Sequence, residues 1–265
     1  MQLPETERVI YKRNPLVEVV SQFQFPQILR IVNQDPVEFQ DAIRADYPIL
    51  EITSGVLVVD VVGERSPDAQ RLDTVYHFKS EDLQWQASLS RNFVALTTKD
   101  YKRYEDFKQR FEKVVQAFEA IYKPAFYSRI GLRYQDLIIR SALNLQGDAW
   151  SDLIPAYIAP ELHLPKIADA VIASTKTLVM KIGAGQVAFR HGLVEARDTE
   201  QSPIEPAYLL DADFFSEERI AVGSHVWERL DEYNQSARKL FRWSITDRLH
   251  LAMEPESTTG KATPN

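Results

Sequence analysis

The chain has no cysteine among its 265 residues. This removes disulfides, thiolate catalysis and sulfur-ligated metals, and it fits a reducing compartment. Glycine is scarce at nine residues. Its one cluster, KIGAGQ at Lys181 to Gln186, lacks the spacing of a phosphate loop and reads as a hairpin turn. Kinase, dinucleotide and nucleoside triphosphate motifs are missing, as is a Gly-x-Ser-x-Gly elbow. The five histidines, His77, His163, His191, His225 and His250, never stand three or four residues apart, so no helical metal pair exists. No uncharged apolar run reaches the roughly 18 residues of a membrane span. The opening MQLPETERVIYKRNP puts charges and prolines where a leader peptide needs an apolar stretch. The expectation is a soluble, cytoplasmic protein with no cofactor and no bound metal.

Positive charge is in deficit. The net charge of −7 and the pI near 5.4 oppose a general affinity for phosphate backbones or anionic lipid, and make nucleic acid an improbable partner. What remains is an ordinary globular composition, 45% hydrophobic and 26% charged, long enough for one large domain or two modest ones.

The pattern of apolar residues supplies the elements. Leu16 to Phe25 alternates as a half-solvated strand, with Val17, Val19, Ser21, Phe23 and Phe25 on one face. Asp35, Pro36 and Glu38 form the signature of a helix start with a capping box. That helix buries Phe39, Ile43 and Tyr47 and stops at Pro48. Strands are predicted at Leu50 to Val62, Leu72 to Lys79, Gln84 to Ser90 and Asn92 to Thr98, the first two separated by the loop GERSPDAQR. From Tyr101 to Tyr122 an aromatic stripe recurs at helical spacing, and Pro124 ends it. Such a stripe requires a sheet to cover it. The same spacing makes Trp85, Phe93, Tyr101, Tyr104, Phe107 and Phe111 core residues before base-stacking ones, and Trp227 and Trp243 likewise.

The remainder repeats this order. A strand at Arg129 to Ile139 is followed by a short helix capped by Asp148. Strands follow near Ala168 to Met180, Gln186 to Val194 and Tyr208 to Phe215, then a long helix from about Gly223 to Ala252. The fold class is α+β, in two pseudo-repeated halves, 14–124 and 125–253, each running strand, helix, antiparallel strands, long helix. A polar tail at 254–265 is expected to be disordered. The order resembles the TATA-binding-protein-like and helix-grip folds, where a curved sheet wraps a long helix. In addition, NPLVEVVSQFQFPQILRI, YHFKSEDLQWQASLSRNFVALTTKDYKRYEDF, IYKPAFYSRIGLRYQDLI and LFRWSITDRLHLAM are similar to the signature blocks of a sporadically distributed bacterial and archaeal family of unknown function. That resemblance spans Asn14 to Met253 and implies no catalytic residues. It implies an accessory role beside mobile-element, toxin or defence systems.

Two constellations bear on function. Asp211 and Asp213 share a strand face about 6.6 Å apart, a spacing suited to a hard cation, to acid and base roles, or to a salt-bridged surface. On the strand at 129–139, Arg129, Arg133 and Gln135 share one face, opposite Ile130, Leu132, Tyr134 and Ile138. The arginines suit a carboxylate or phosphate, or would pair with Asp211 and Asp213 were the strands neighbours. Three functions follow: a non-catalytic binding protein for another protein, which is favoured; a binder of a small anionic or apolar ligand between sheet and helix; and a metal-assisted enzyme using Asp211 and Asp213.

Overall fold

The computed structural model of the chain describes residues 3–54, 74–199 and 201–257. The first stretch carries β1 (Val9–Tyr11), β2 (Leu16–Gln24), α1 (Leu29–Asn33), α2 (Val37–Ile43) and β3 (Ile49–Ser54). Next come β4 (Thr74–Lys79), β5 (Trp85–Ser90), β6 (Phe93–Thr98), α3 (Tyr104–Tyr122), β7 (Arg129–Ile139) and α4 (Trp150–Leu153). The chain continues through β8 (Lys176–Ile182), β9 (Gly185–Ala196), β10 (Glu205–Ser216), α5 (Ser224–Trp243), α6 (Asp247–Ala252) and β11 (Pro255–Ser257). The protein is α+β, with a large antiparallel sheet and several helices. Among the described residues no helix is long and apolar enough to cross a membrane.

Two compact units divide the chain and interleave in sequence. One comprises 20–131 and 217–228, the other 1–19, 132–216 and 229–265. The sequence predicts a single cut after residue 124. The chain ends depart from it because β1 pairs antiparallel with β11, Val9 opposite Ser257 and Tyr11 opposite Pro255. Residues 255–257 are therefore a strand where a disordered tail is expected. The rest of that tail, 258–265, lies outside the described residues, as do 55–73, which hold the loop GERSPDAQR and parts of two expected strands.

In the first unit the strands run β3, β4, β5, β6 and the Val20–Gln24 part of β2. The stripe of α3 covers them: Tyr104, Phe107, Phe111, Val114, Val115 and Phe118 are all buried. Phe111 meets Phe23 edge-on at 4.8 Å, and Phe118 stacks on Phe25 at 4.5 Å. These ring contacts hold a wide apolar stripe in one register. Lys123 closes the helix in the left-handed conformation, directly before Pro124. At α2 the expected capping box does not form. The Asp35 carboxylate instead accepts a hydrogen bond from the Tyr76 hydroxyl at 2.9 Å, and no side chain caps the start of α2.

In the second unit the order is β7, β10, β9, β8. Leu230, Tyr233, Ala237 and Leu240 of α5 are buried, with Tyr233 tilted on Phe214 of β10 at 6.2 Å. The predicted final helix is two helices. Ser244 turns its hydroxyl back to the Leu240 carbonyl, and Thr246 caps α6 by accepting from the Leu249 N–H at 3.3 Å. The strand predicted from Ala168 begins only at Lys176. Residues 168–170 form a 3₁₀ turn, and Ile172 is 77% exposed, so the apolar alternation there is not buried. Asp148 does not cap α4. Its carboxylate receives the Arg248 guanidinium at 2.8 and 3.1 Å, and Asp152 takes the Ala149 N–H instead. The KIGAGQ turn is the two-residue connection between β8 and β9, with Gly183 at φ +53°.

Candidate functional site

Alternation along β7 places Arg133 and Gln135 on the face away from α5, both half-buried. On β10 the same alternation turns Asp211 and Asp213 outward and Leu210, Ala212 and Phe214 inward. Because β7 and β10 are neighbours, the Arg133 Nε and Nη2 atoms donate to the two Asp211 carboxylate oxygens, each at 2.7 Å. This is the bidentate fork that guanidinium geometry favours. Register adds a third partner that the sequence reading did not single out. Arg190 of β9 lies opposite Asp211, with its Nη2 atom 3.3 Å from Oδ2, and Thr177 of β8 lies opposite Arg190. A single row thus crosses four strands: Thr177, Arg190, Asp211, Arg133.

Exposure within that row is uneven. The Asp211 side chain is 6% exposed, whereas those of Arg133 and Arg190 are 41% and 42% exposed. The carboxylate is a buried anchor, and the two cations face outward around it. Hydrogen bonding to Asp211 pushes the Arg133 guanidinium still higher in pKa against the opposing effect of burial, with Asp213 and Glu18 adding to the rise. Asp213 lies opposite Ala188 one step along the face and is half-buried. Arg129 belongs to the other unit and is used differently. Its guanidinium folds back over Gly131, where a Cβ would come within 2.6 Å of Nη1. The pairing of Arg133 with Asp211 is thus realised, and Asp211 is committed to guanidinium groups. Among the described residues no group of three or more His, Asp or Glu side chains could hold a metal ion. Replacing Asp211 by asparagine leaves two cations facing an amide. A loss of about 1–2 kcal/mol is expected, kept small by the exposure of the guanidinium groups. An unchanged urea midpoint would show that the row contributes nothing to folding.

No protein-family model matches the chain, and no curated protein matches it.

Two buried polar groups of the same unit were missed from the sequence. Asp136 sits on the inward face of β7, in line with Ile130, Leu132, Tyr134 and Ile138, and is 8% exposed. Burial, with the Asp211 charge adding to it, pushes its carboxyl up to about 8. Tyr134 beside it donates its hydroxyl to Asn234 of α5 at 3.1 Å. His191, 1% exposed, shares a hydrogen bond of 2.8 Å with the Tyr208 hydroxyl and stacks on Phe189. Burial, and then the Lys176 ammonium, lower the imidazole to about 4. Lys176 itself is held by the Glu161 carboxylate and the Ile158 carbonyl. The readable signal was an acid or imidazole at an inward position of an otherwise apolar alternation.

A groove of about 400 Å³ opens in the other unit between α1, α2 and the end of α3. Its arginine is already engaged. Arg30 pairs with Glu38 at 2.6 Å, donates to the Ile121 carbonyl at 3.2 Å and lies over the Tyr122 ring at 5.7 Å.

Proposed function

We propose that the chain is a non-catalytic binding protein that engages another protein through the outward sheet face bearing Arg133, Arg190, Asp211, Asp213 and Gln135. The observation that carries this reading is the anchored pair of guanidiniums. Each is held at one end by a buried carboxylate, with about two fifths of its surface left for a second chain. Arginine held in this way loses little further side-chain entropy on binding, and its planar fork and apolar faces are the features enriched at protein contacts. Asp213 and Gln135 beside it supply acceptors, so the face offers both signs over a small area. An outward sheet face of this kind selects a folded partner before a small molecule, which would be enclosed in a concave site.

The same proposal takes the chain as a duplicated TATA-binding-protein-like fold. In support, each unit sets antiparallel strands against a long helix, α3 in one and α5 in the other. The similarity to the sporadically distributed family favours an accessory role, with the partner encoded nearby in a mobile-element, toxin or defence setting. Affinity capture from the native host tests the reading. The expected result is a protein retained at stoichiometric level by the wild type and lost by the double variant Arg133→Glu, Arg190→Glu. Equal retention by both would remove the sheet face from the interaction, and retention by neither would count against a protein partner altogether.

A further inference from the structure

We infer that β8 is a self-pairing edge, through which two copies of the chain join antiparallel with Val179 on the two-fold axis. This rests on the geometry of the β8–β9 hairpin and is independent of the sheet-face reading above.

The loop between β8 and β9 has two residues, so Ile182 and Gly185, which face each other, form a hydrogen-bonded pair. Counting back by alternation, Met180, Leu178 and Lys176 also bond to β9. The main-chain N–H and C=O groups of Thr177 and Val179 therefore point away from it. β8 is the last strand of its unit, and among the described residues no main-chain bond reaches Thr177 or Val179 from the open side. Edge strands are ordinarily protected by proline, a bulge or central charge. Between Thr177 and Met180 there is none of these: the register with β9 is unbroken and all four residues are uncharged. Leu178 is 45% exposed and Val179 58%, so both sides of the strand present apolar surface.

The order of side chains selects a second copy. With Val179 on the axis, Leu178 of each copy faces Met180 of the other, Val179 faces itself, Thr177 faces Lys181 and Lys176 faces Ile182. No lysine opposes a lysine, and both copies keep their helix-bearing faces on the same side. A slip of one residue sets Lys176 opposite Lys181 twice and places Val179 opposite Leu178, whose main-chain groups point back to β9, so like-charge repulsion comes with loss of the ladder bonds. The contact is isologous and closes at two chains, so it does not propagate into a fibre. Strand pairing alone buries less than the roughly 1,000 Å² typical of a stable interface. The lead-in to β8 supplies more apolar surface, with Ile167 at 50% and Ile172 at 77% exposure. A dimer of moderate affinity is the result.

Sedimentation equilibrium on the full chain, from roughly 5 to 200 µM, spans that range of affinity. The expected result is a reversible monomer–dimer equilibrium. Val179→Pro removes the outward N–H while leaving the β8–β9 ladder intact, and Val179→Lys sets two ammonium groups on the axis. Both variants should be monomeric at every concentration with an unchanged circular dichroism spectrum. The absence of native cysteine provides a second arm that requires no loss of function. Val179→Cys should form a covalent dimer on mild oxidation, because hydrogen-bonded partners lie about 5.5 Å apart at Cα, within disulfide reach. Ala188→Cys, one strand inward, should not. A wild type that stays monomeric at 200 µM, a dimer that survives Val179→Lys, or equal cross-linking at 179 and 188 overturns the inference.

Discussion

Asp136→Asn is expected to stabilise the protein by on the order of 3 kcal/mol at pH 7 and to flatten its stability between about pH 6.5 and 8. The reason is the position of the carboxyl group. It is carried on the inward face of β7, and burial with the nearby Asp211 charge raises it from 3.8 to about 8. The unfolded chain releases this proton near pH 4 while the folded chain holds it until about pH 8. Between those values the folded state binds the extra proton, so stability falls as pH rises and levels off above pH 8. Asparagine keeps the size and removes the titration, although its second N–H needs an acceptor, which trims the gain. Tyr11 lies close enough to feel the same charge. Its hydroxyl is raised to about 12, chiefly by burial and opposed by Arg242, with Asp136 contributing.

His191 works in the opposite direction and makes the experiment sharper. Its imidazole is lowered to about 4, so the unfolded chain takes up a proton near pH 6.5 that the folded chain refuses. Stability is lost as pH falls from 6.5 toward 4. In the wild type the two slopes offset each other below pH 6.5, and only the Asp136 slope remains above it. In Asp136→Asn the acid limb should remain, led by His191 and shared with His77 and His250, whose imidazoles burial also lowers, with stability rising to pH 6.5 and then staying level. Urea denaturation across pH 4–9 measures both profiles. Parallel curves above pH 6.5 would mean that Asp136 does not hold its proton in the folded state.

What the sequence made legible follows from range. The α3 stripe and the β7 alternation are local periodicities, and both were readable because each buries one face against one layer. The pairing of Arg133 with Asp211 was readable as a conditional, since it required only that two strands be neighbours. Arg190 was not, because its place in the row depends on the β9–β10 register, which no local pattern encodes. The β1–β11 pair escaped for the same reason: Tyr11 and Pro255 meet across nearly the whole chain. The break between α5 and α6 did carry a local sign, Ser244 followed by Thr246 and Asp247, but the apolar stripe running through Ile245 and Leu249 masked it. Asp136 was passed over although its place in the β7 alternation is inward, and its raised pKa depends on how completely the strand is covered.

Gly192→Ala is expected to cost roughly 3–5 kcal/mol and to loosen the segment before β8 from the sheet. Gly192 has φ +155°, a conformation that side chains rarely adopt, and a Cβ there would come within 1.9 Å of the Ser174 carbonyl oxygen. That oxygen cannot retreat freely. The Ser174 N–H donates to the Leu193 carbonyl at 2.9 Å, and its hydroxyl accepts from the Leu193 N–H at 3.1 Å, so both ends of the contact are tied to the residue after the glycine. The methyl group must therefore break this clasp or distort β9. His191 is the neighbour in sequence, and Lys176 lies opposite it in the ladder, which joins the clasp to the buried imidazole. Opening the segment lets water reach His191 and separates it from Lys176, the two influences that hold its pKa down. Two readouts should move together: cleavage by a protease within 164–175 should accelerate, and the His191 ring signals should titrate closer to 6.5. A loss of stability with His191 still neutral at pH 5 would confine the damage to β9 and show that the clasp does not seal the imidazole.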